Sequence, residues 1–113
     1  MFNKKQRLSR PQFTEYFKKG RRFQTLELTL IYNTNTPLLI SVVVGKKVFK
    51  NAVDRNRLRR RIYASTRRYF VAKKITSGSY IIVTKGEAKK LTRLGTIIAT
   101  EQILSKITDI MSS

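Results

Sequence analysis

The sequence predicts a single-domain α+β protein, an α-β-β-α-β-α sandwich in which helices pack on one sheet. Stretches with helical periodicity stand near the start, in the middle and at the end of the chain, and strand-like runs separate them. The length of 113 residues suits one domain with one modest core. The sequence has no repeat, linker or low-complexity tract, so residues 1–113 are expected to form one unit.

A first helix is predicted over residues 9–19. Ser9 and Gln12 have the spacing of a capping box, and Pro11 is tolerated within the first turn. Gly20 then supplies a C-terminal stop. The helix carries three aromatic side chains on one face: Phe13, Tyr16 and Phe17.

Two strands are predicted to follow this helix. In residues 23–32, leucines alternate with polar residues, which is the period of a half-buried strand. Residues 38–44 are a β-branched run, typical of a more buried strand. The turn-rich segment 33–37 between them predicts that the two strands form a hairpin.

The second half of the chain predicts a helix over residues 52–72, a strand over 80–84 and a helix over 92–111. Gly45 and the segment 77–79 mark the breaks before the first two of these elements. The long helix has a narrow stripe that can pack on a sheet: Leu58, Ile62, Ser65 and Tyr69. The stripe predicted for the last helix consists of Leu94, Ile97, Ile98, Leu104, Ile107 and Met111.

The charge balance indicates an anionic partner. The chain has 25 Lys and Arg against 6 Asp and Glu, a formal net charge of +19, and this self-repulsion favours nucleic acid as the partner. A membrane partner is not expected, because the sequence has no long apolar span and its N-terminal residues lack a secretory pattern. We therefore expect a cytoplasmic protein, and no protein partner is implied.

Composition argues against a protein that carries its own catalytic chemistry. The chain has no Cys and no His, which excludes thiolate zinc sites and removes the side chain best suited to proton transfer near neutral pH. Its six carboxylates form no close pair that would suggest a two-metal nuclease. No catalytic residue and no metal site are therefore expected in the protein.

The segment NAVDRNRLRRRIY has five arginines in seven positions, residues 55–61. Between Lys46 and Lys74 there are twelve Lys and Arg and one acidic residue, Asp54. A solvated helix normally mixes charges of both signs for i, i+4 pairing, so this helix is better suited to phosphates. The guanidinium fork holds a phosphate bidentately, whereas lysine acts as a point charge.

A helical wheel divides these side chains among three sides of the helix. Arg55 and Arg59 lie on one flank of the packing stripe. The other flank carries Arg57, Arg61 and Arg68, and the side turned away carries Asn56, Arg60, Tyr63 and Arg67. The amide of Asn56 can orient an arginine or contact RNA, or it can be an exposed or capping amide with neither role. The sequence leaves these alternatives open.

The sequence resembles the bacterial ribonuclease P protein subunits. Residues 46–63, KKVFKNAVDRNRLRRRIY, are similar to the arginine-rich RNR signature of that family, with the core RNRLRR at residues 55–60. Residues 7–20, RLSRPQFTEYFKKG, are similar to the family's N-terminal pattern of a basic start, two phenylalanines four apart and a closing glycine. The element order and the strand YIIV agree, so the resemblance spans nearly the whole chain.

The resemblance implies a protein cofactor of a ribonucleoprotein endonuclease in which ribonuclease P RNA does the chemistry. That RNA chiefly binds the Mg²⁺ and removes the 5′ leader of precursor tRNA, and the protein binds both the RNA and the leader. The residues implied to bind the catalytic RNA are Lys46, Lys47, Lys50, Arg55, Asn56, Arg57, Arg59 and Arg60. Those implied to line a leader cleft between the sheet and the arginine helix are Phe13, Phe17 and Tyr32. The resemblance also implies a left-handed strand-helix-strand crossover.

Two alternatives remain at this point. A basic ribosomal protein would share the size, charge and fold class but would bind ribosomal RNA, and the RNA that co-purifies separates this alternative from the first. A small metal-dependent nuclease would use Asp54 with a distant carboxylate, and it would cut precursor tRNA without any RNA subunit.

Overall fold

The computed structural model describes residues 8–111, and the side chains of residues 8–107. Within this range the helices are α1 (Arg10–Lys19), α2 (Ala52–Ala72) and α3 (Arg93–Met111). The strands are β1 (Arg21–Gln24), β2 (Leu28–Pro37), β3 (Leu39–Val43) and β4 (Ser77–Thr84). A short 3₁₀ helix, Gly86–Lys90, precedes α3. The predicted α+β class is confirmed.

Helices α1 and α2 both begin with a side-chain cap, and the sequence predicts the one at α1. At α1, Ser9 Oγ accepts from the Gln12 backbone N–H at 3.4 Å, and the Ser9 N–H donates to Gln12 Oε1 at 3.0 Å. This completes the capping box and satisfies two N–H groups at the helix start. At α2, Asn51 Oδ1 accepts from the Val53 N–H at 2.8 Å. The bounds of α2 are those that the sequence predicts.

The first predicted strand is divided into β1 and β2 by a tight turn. The Thr25 N–H donates to the Leu28 carbonyl at 2.9 Å, and the Leu28 N–H donates to Thr25 Oγ1 at 3.2 Å. Leucines continue to alternate with polar residues through this turn, and Leu26 at its tip is 68% exposed. The alternation alone therefore predicts one continuous strand and gives no sign of the turn.

The predicted hairpin between the strands of residues 23–32 and 38–44 is wrong, because β2 and β3 do not pair with each other. The sheet order is β1-β2-β4-β3, so β4 lies between β2 and β3. Leu30 of β2 and Val42 of β3 both align with Ile82, in an antiparallel and a parallel ladder respectively. Tyr80, Ile81 and Ile82 are all at most 1% exposed. A strand that is apolar on both faces takes a central place in a sheet, which explains the insertion of β4.

One face of the sheet is covered by α2 and α3. The stripe predicted for α2 is confirmed, since all of its members are buried: Leu58, Ile62, Ser65 and Tyr69. Thr66 and Phe70 are also buried, so the packed side of α2 is wider than predicted. The prediction that Tyr63 faces away is wrong, because its hydroxyl accepts a hydrogen bond from the Val42 N–H of β3 at 3.2 Å. The left-handed sense of the β3-α2-β4 crossover stays a prediction.

The stripe predicted for α3 is wrong at two positions. Leu94 and Ile98 are 66% and 47% exposed. The buried residues of α3 are Thr96, Ala99, Thr100, Ile103, Leu104 and Ile107. The hydroxyls of Thr96 and Thr100 each donate to the carbonyl four residues earlier, at 2.8 Å, so both threonines are buried without an unpaired hydroxyl. Met111 lies outside the described side chains.

The opposite face of the sheet is partly covered by α1. The Asn33 side-chain amide donates to the Tyr16 carbonyl at 3.0 Å, and a Cβ at Gly20 would collide with Ile31 Cγ2. At the other end, the Leu8 N–H donates to the Ile40 carbonyl at 3.3 Å. This segment therefore runs across the strands, from β3 at Leu8 to β2 at Gly20. The half of this face beyond α1 is only half-buried and carries Thr29, Ser41, Val43 and Val83.

Candidate nucleic-acid interface

The arginines of α2 lie outside its packed side. Those that are exposed are Arg57, Arg60, Arg67 and Arg68, and those that are half-buried are Arg55, Arg59 and Arg61. Arg57 Nη1 lies 3.8 Å from Asp54 Oδ1. Both side chains are largely exposed, so this ion pair contributes little to stability and leaves the arginine able to contact a ligand. The helix presents positive charge to solvent on more than one side.

Asn56 orients a neighbouring arginine, which was one of its two predicted roles. Its side-chain oxygen accepts a hydrogen bond from Arg59 Nη1 at 2.5 Å. Asn56 is exposed and Arg59 is half-buried beside it. The bond fixes the direction of the guanidinium fork, and the amide nitrogen of Asn56 remains a donor for a second group.

Arg55 holds the segment that precedes α2. Its Nη1 donates to the carbonyl oxygens of Phe49 and Lys50, at 3.1 and 2.7 Å. Hydrogen bonds from a charged donor are stronger than neutral ones, so this contact ties the start of α2 to the loop before it. Arg55 therefore differs from Arg57, which has no such backbone contact among the described residues.

The basic loop, residues 46–50, is held by its apolar members. Val48 is 3% exposed, and Phe49 packs against the core. The Gly45 carbonyl accepts from the Val48 N–H at 3.1 Å, which tightens the turn. The lysines of the loop are all exposed: Lys46, Lys47 and Lys50. The loop thus places three cations beside the start of α2, next to the arginines.

The two phenylalanines of α1 lie together as predicted by their spacing. The rings of Phe13 and Phe17 are stacked, with centroids 5.5 Å apart and planes 26° apart. Both rings are half-buried, so neither is lost in the core. The Arg22 guanidinium carbon lies 4.6 Å from the Phe17 ring centroid. Three planar groups are therefore side by side at the edge of the sheet, and sequence reasoning did not identify Arg22 among them.

Tyr32 is not brought to the phenylalanines. It is 8% exposed, and its ring lies 5.1 Å from the Tyr80 ring, which in turn contacts Phe70 of α2. Burial raises the pKa of the Tyr80 phenol, and Tyr32 adds to this effect, so Tyr80 is a neutral part of the core. Tyr32 faces α2, whereas its neighbour Ile31 faces α1. Side chains alternate between the two faces of a sheet along a strand, so adjacent residues such as Ile31 and Tyr32 lie on opposite faces.

The expected cleft between the sheet and the arginine helix is filled. Leu58 and Ile62 of α2 and Tyr80 and Ile82 of β4 are at most 4% exposed and belong to one core cluster. The accessible part of the sheet lies on its other face, beside α1. This open half of the sheet reaches from the phenylalanines to the end of β3, three residues before Lys46.

Acidic side chains do not cluster in the part of the chain that the structure describes. Among side chains 8–107, no cluster of three or more His, Cys, Asp or Glu could hold a metal ion. The carboxylate of Asp54 lies 3.8 Å from Arg57 Nη1. None of the described helices is long and apolar enough to span a membrane.

Exposed arginines on a helix, a lysine loop beside it and a stacked aromatic pair are the features of a nucleic-acid-binding protein. Comparison with known proteins gives the family. The family model for Ribonuclease P matches residues 2–108. The chain therefore belongs to the ribonuclease P protein family, the protein subunits of the ribonucleoprotein endonuclease of tRNA 5′ processing.

Individual relatives agree with this assignment. A ribonuclease P protein component of Xylella fastidiosa is 29% identical over 99 residues, 87% of this chain and 72% of the relative. That of a second strain of this species is 30% identical over 92 residues, 80% of this chain and 67% of the relative. The fold is that of the Staphylococcus aureus RNase P protein, with a TM-score of 0.73 at 23% identity, covering 90% of this chain and 94% of the other. The Thermotoga maritima RNase P protein matches with a TM-score of 0.70 at 20% identity, covering 88% of this chain and 92% of the other.

Proposed function

We propose that the protein binds the catalytic RNA of ribonuclease P through α2 and the basic loop. The residues assigned to this contact are Lys46, Lys47, Lys50, Arg55, Asn56, Arg57, Arg59 and Arg60. The lysines of the loop lie beside the start of α2, since Arg55 joins the helix to the loop carbonyls. Within this set of residues, Arg57 and Arg60 contact phosphates directly, Asn56 orients Arg59, and Arg55 acts by ordering the loop.

The same protein binds the 5′ leader of precursor tRNA on the face of the sheet that carries α1. Phe13 and Phe17 stack on unpaired bases, which tolerates many leader sequences because every base has an aromatic face. The half-buried side chains beyond α1 form the floor of this path, which is about 14 Å wide across four strands. Tyr32 supports this site from the opposite face of the sheet and does not contact the leader.

The observation that carries the proposal is the position of the basic loop. The loop follows β3 at the edge of the open half of the sheet and leads directly into α2. A leader that runs from Phe17 across the sheet would therefore arrive at the cations that hold the catalytic RNA. Substrate and catalytic RNA are thus brought together at one end of the domain.

The RNA supplies the chemistry in this proposal. Mg²⁺ is bound chiefly by the RNA and activates the water that cuts the precursor, which agrees with the scarcity of carboxylates in the protein. The positive charge of the protein lowers the repulsion between two RNAs and so lowers the Mg²⁺ concentration that cleavage needs. The protein works in the cytoplasm, with precursor tRNA and ribonuclease P RNA as its partners.

The test is cleavage of a precursor tRNA by a bacterial ribonuclease P RNA at low Mg²⁺, with and without the protein. We expect cleavage at the mature 5′ end when both are present and little with either alone. Tight RNA binding without stimulation would instead favour the ribosomal alternative. Cleavage by the protein alone, lost in Asp54→Ala, would favour the nuclease alternative.

A further inference from the structure

Arg22 lies in β1 on the face of the sheet that carries α1. Its Cα partner in the antiparallel ladder is Ile31, which aligns with Ile81, and Ile81 aligns with Ser41 of β3. Directly paired residues share a face of the sheet, so these four form one row across it. This row borders the open half of the sheet, and Arg22 is its exposed cationic end.

The Arg22 side chain is fixed against α1 by two contacts. Its Nη2 donates to the Phe17 carbonyl at 3.1 Å, and its guanidinium carbon lies 4.6 Å from the Phe17 ring centroid. A guanidinium over an aromatic ring is attracted by the negative charge of the ring face. The hydrogen bond uses one of five N–H groups, so the others remain able to bind an anion.

The surroundings of Arg22 favour an anionic ligand. None of the three ion pairs among side chains 8–107 includes Arg22. The acidic residue nearest to it in sequence, Glu27, lies in the β1-β2 turn. A planar cation beside two stacked aromatic rings can stack on a base and hold a phosphate at the same time. Single-stranded RNA carries both groups in every nucleotide.

We propose that Arg22 is a further leader-binding residue, which contacts a phosphate of the nucleotide that stacks beside Phe17. This inference rests on the proposed function of the α1 face. Arg22 adds a charge contact at a site that would otherwise bind by stacking alone. Leader affinity is then insensitive to base identity but sensitive to salt.

Arg21 provides a matched control. It is also exposed and lies next to Arg22 on the same strand, but its partner in the ladder is Tyr32, so it lies on the opposite face of the sheet. Its guanidinium is 5.9 Å from the Phe23 ring, not near Phe17. Arg21→Gln and Arg22→Gln remove the same charge one residue apart, so general electrostatic attraction is affected equally in both variants.

The experiment uses the protein assembled with a bacterial ribonuclease P RNA. The concentration of leader-bearing precursor that gives half-maximal cleavage measures precursor affinity, and inhibition by mature tRNA measures affinity without the leader. We expect Arg22→Gln to weaken precursor affinity about three- to fivefold, the size of an exposed cation contact, and to leave mature tRNA unchanged. The salt slope for the precursor should fall by about 0.7 for the one lost contact. Arg21→Gln should leave the difference between precursor and mature tRNA intact.

Arg22→Lys separates a leader contact from support of α1. Its ammonium can still donate to the Phe17 carbonyl and attract a phosphate, but it cannot stack as a plane. We expect it to restore the salt slope and part of the affinity. Equal losses in Arg21→Gln and Arg22→Gln, equal losses for both tRNAs, or a salt slope that Arg22→Lys does not restore would each overturn the assignment. If the wild-type assembly itself does not distinguish precursor from mature tRNA, the proposed leader site on the α1 face is wrong, and the assignment of Arg22 is wrong with it.

Discussion

Arg57 and Arg55 lie two residues apart on α2, yet they should respond differently to the same substitution. Arg57 is exposed, with a weak ion pair to Asp54 at 3.8 Å. Arg55 is half-buried and donates to the carbonyls of Phe49 and Lys50 at 3.1 and 2.7 Å. Arg57→Gln should therefore change RNA binding with little effect on stability, and Arg55→Gln should change both.

The size of the effect at Arg57 follows from counterion release. Each phosphate contact to duplex RNA contributes about 0.9 to the slope of log affinity against log salt, if RNA follows the value for duplex DNA. Loss of one contact should therefore reduce the affinity change between about 50 and about 200 mM salt by about 3.5-fold. Loss of its exposed ion pair should change the free energy of unfolding by less than about 0.5 kcal/mol.

Arg55→Gln should instead lower the free energy of unfolding by about 1 kcal/mol, because two partly exposed carbonyls lose a charged donor. For a domain of this size that corresponds to a Tm lower by about 4 °C. The assay is binding of each variant to ribonuclease P RNA over a salt series, with thermal unfolding of the free protein. If Arg55→Gln and Arg57→Gln changed the salt slope equally and had equal Tm values, the reasoning would be refuted, because the loss of net charge alone would explain both variants.

Three further predictions concern single side chains. Phe17→Ala should reduce affinity for leader-bearing precursor by about 1–3 kcal/mol, the value of one stacked base, and leave mature tRNA unaffected; equal losses for both would indicate a folding defect instead. Gly78→Ala should lower Tm in thermal unfolding, because Gly78 has φ +102° and an added Cβ would lie 2.9 Å from Tyr32 Cε1; an unchanged Tm would contradict this. Asn51→Ala should cost about 1 kcal/mol in chemical denaturation, since it removes the cap on the Val53 N–H, whereas Asn51→Ser should retain most of it.

Local signals predicted the helices well because the features that start and stop a helix are close in sequence. Ser9 and Gln12 bond to each other across three residues, so the sequence pattern itself contains the contact. The packed stripe of α2 was likewise readable from its period. The predicted stripe of α3 included Leu94 and Ile98 because they are more hydrophobic than Thr96 and Thr100. The threonines are buried instead, since their hydroxyls donate to carbonyls four residues earlier.

The errors in the sheet arose from contacts that are distant in sequence. The turn-forming residue types at 33–37 favour a hairpin locally, although these residues belong to β2. Pairing of β2 with β4 instead joins segments about fifty residues apart. Tyr32 was assigned to the leader cleft by residue type, and the face of a strand depends on register rather than type. Arg22 was missed because its role depends on α1 folding back against β1, which no local pattern reveals.

The central position of β4 determines when the domain can form. Within the described sheet, β2 and β3 share no hydrogen bonds and are joined through β4, which follows them by more than thirty residues. During synthesis, α2 therefore emerges before the strand that completes its packing surface. Contacts of such high sequence separation slow folding, because a long loop must close before they form. We expect a nascent chain that ends before β4 to display its basic helix without a finished sheet. Once β4 has emerged, the chain should reach the native state in one late, cooperative step.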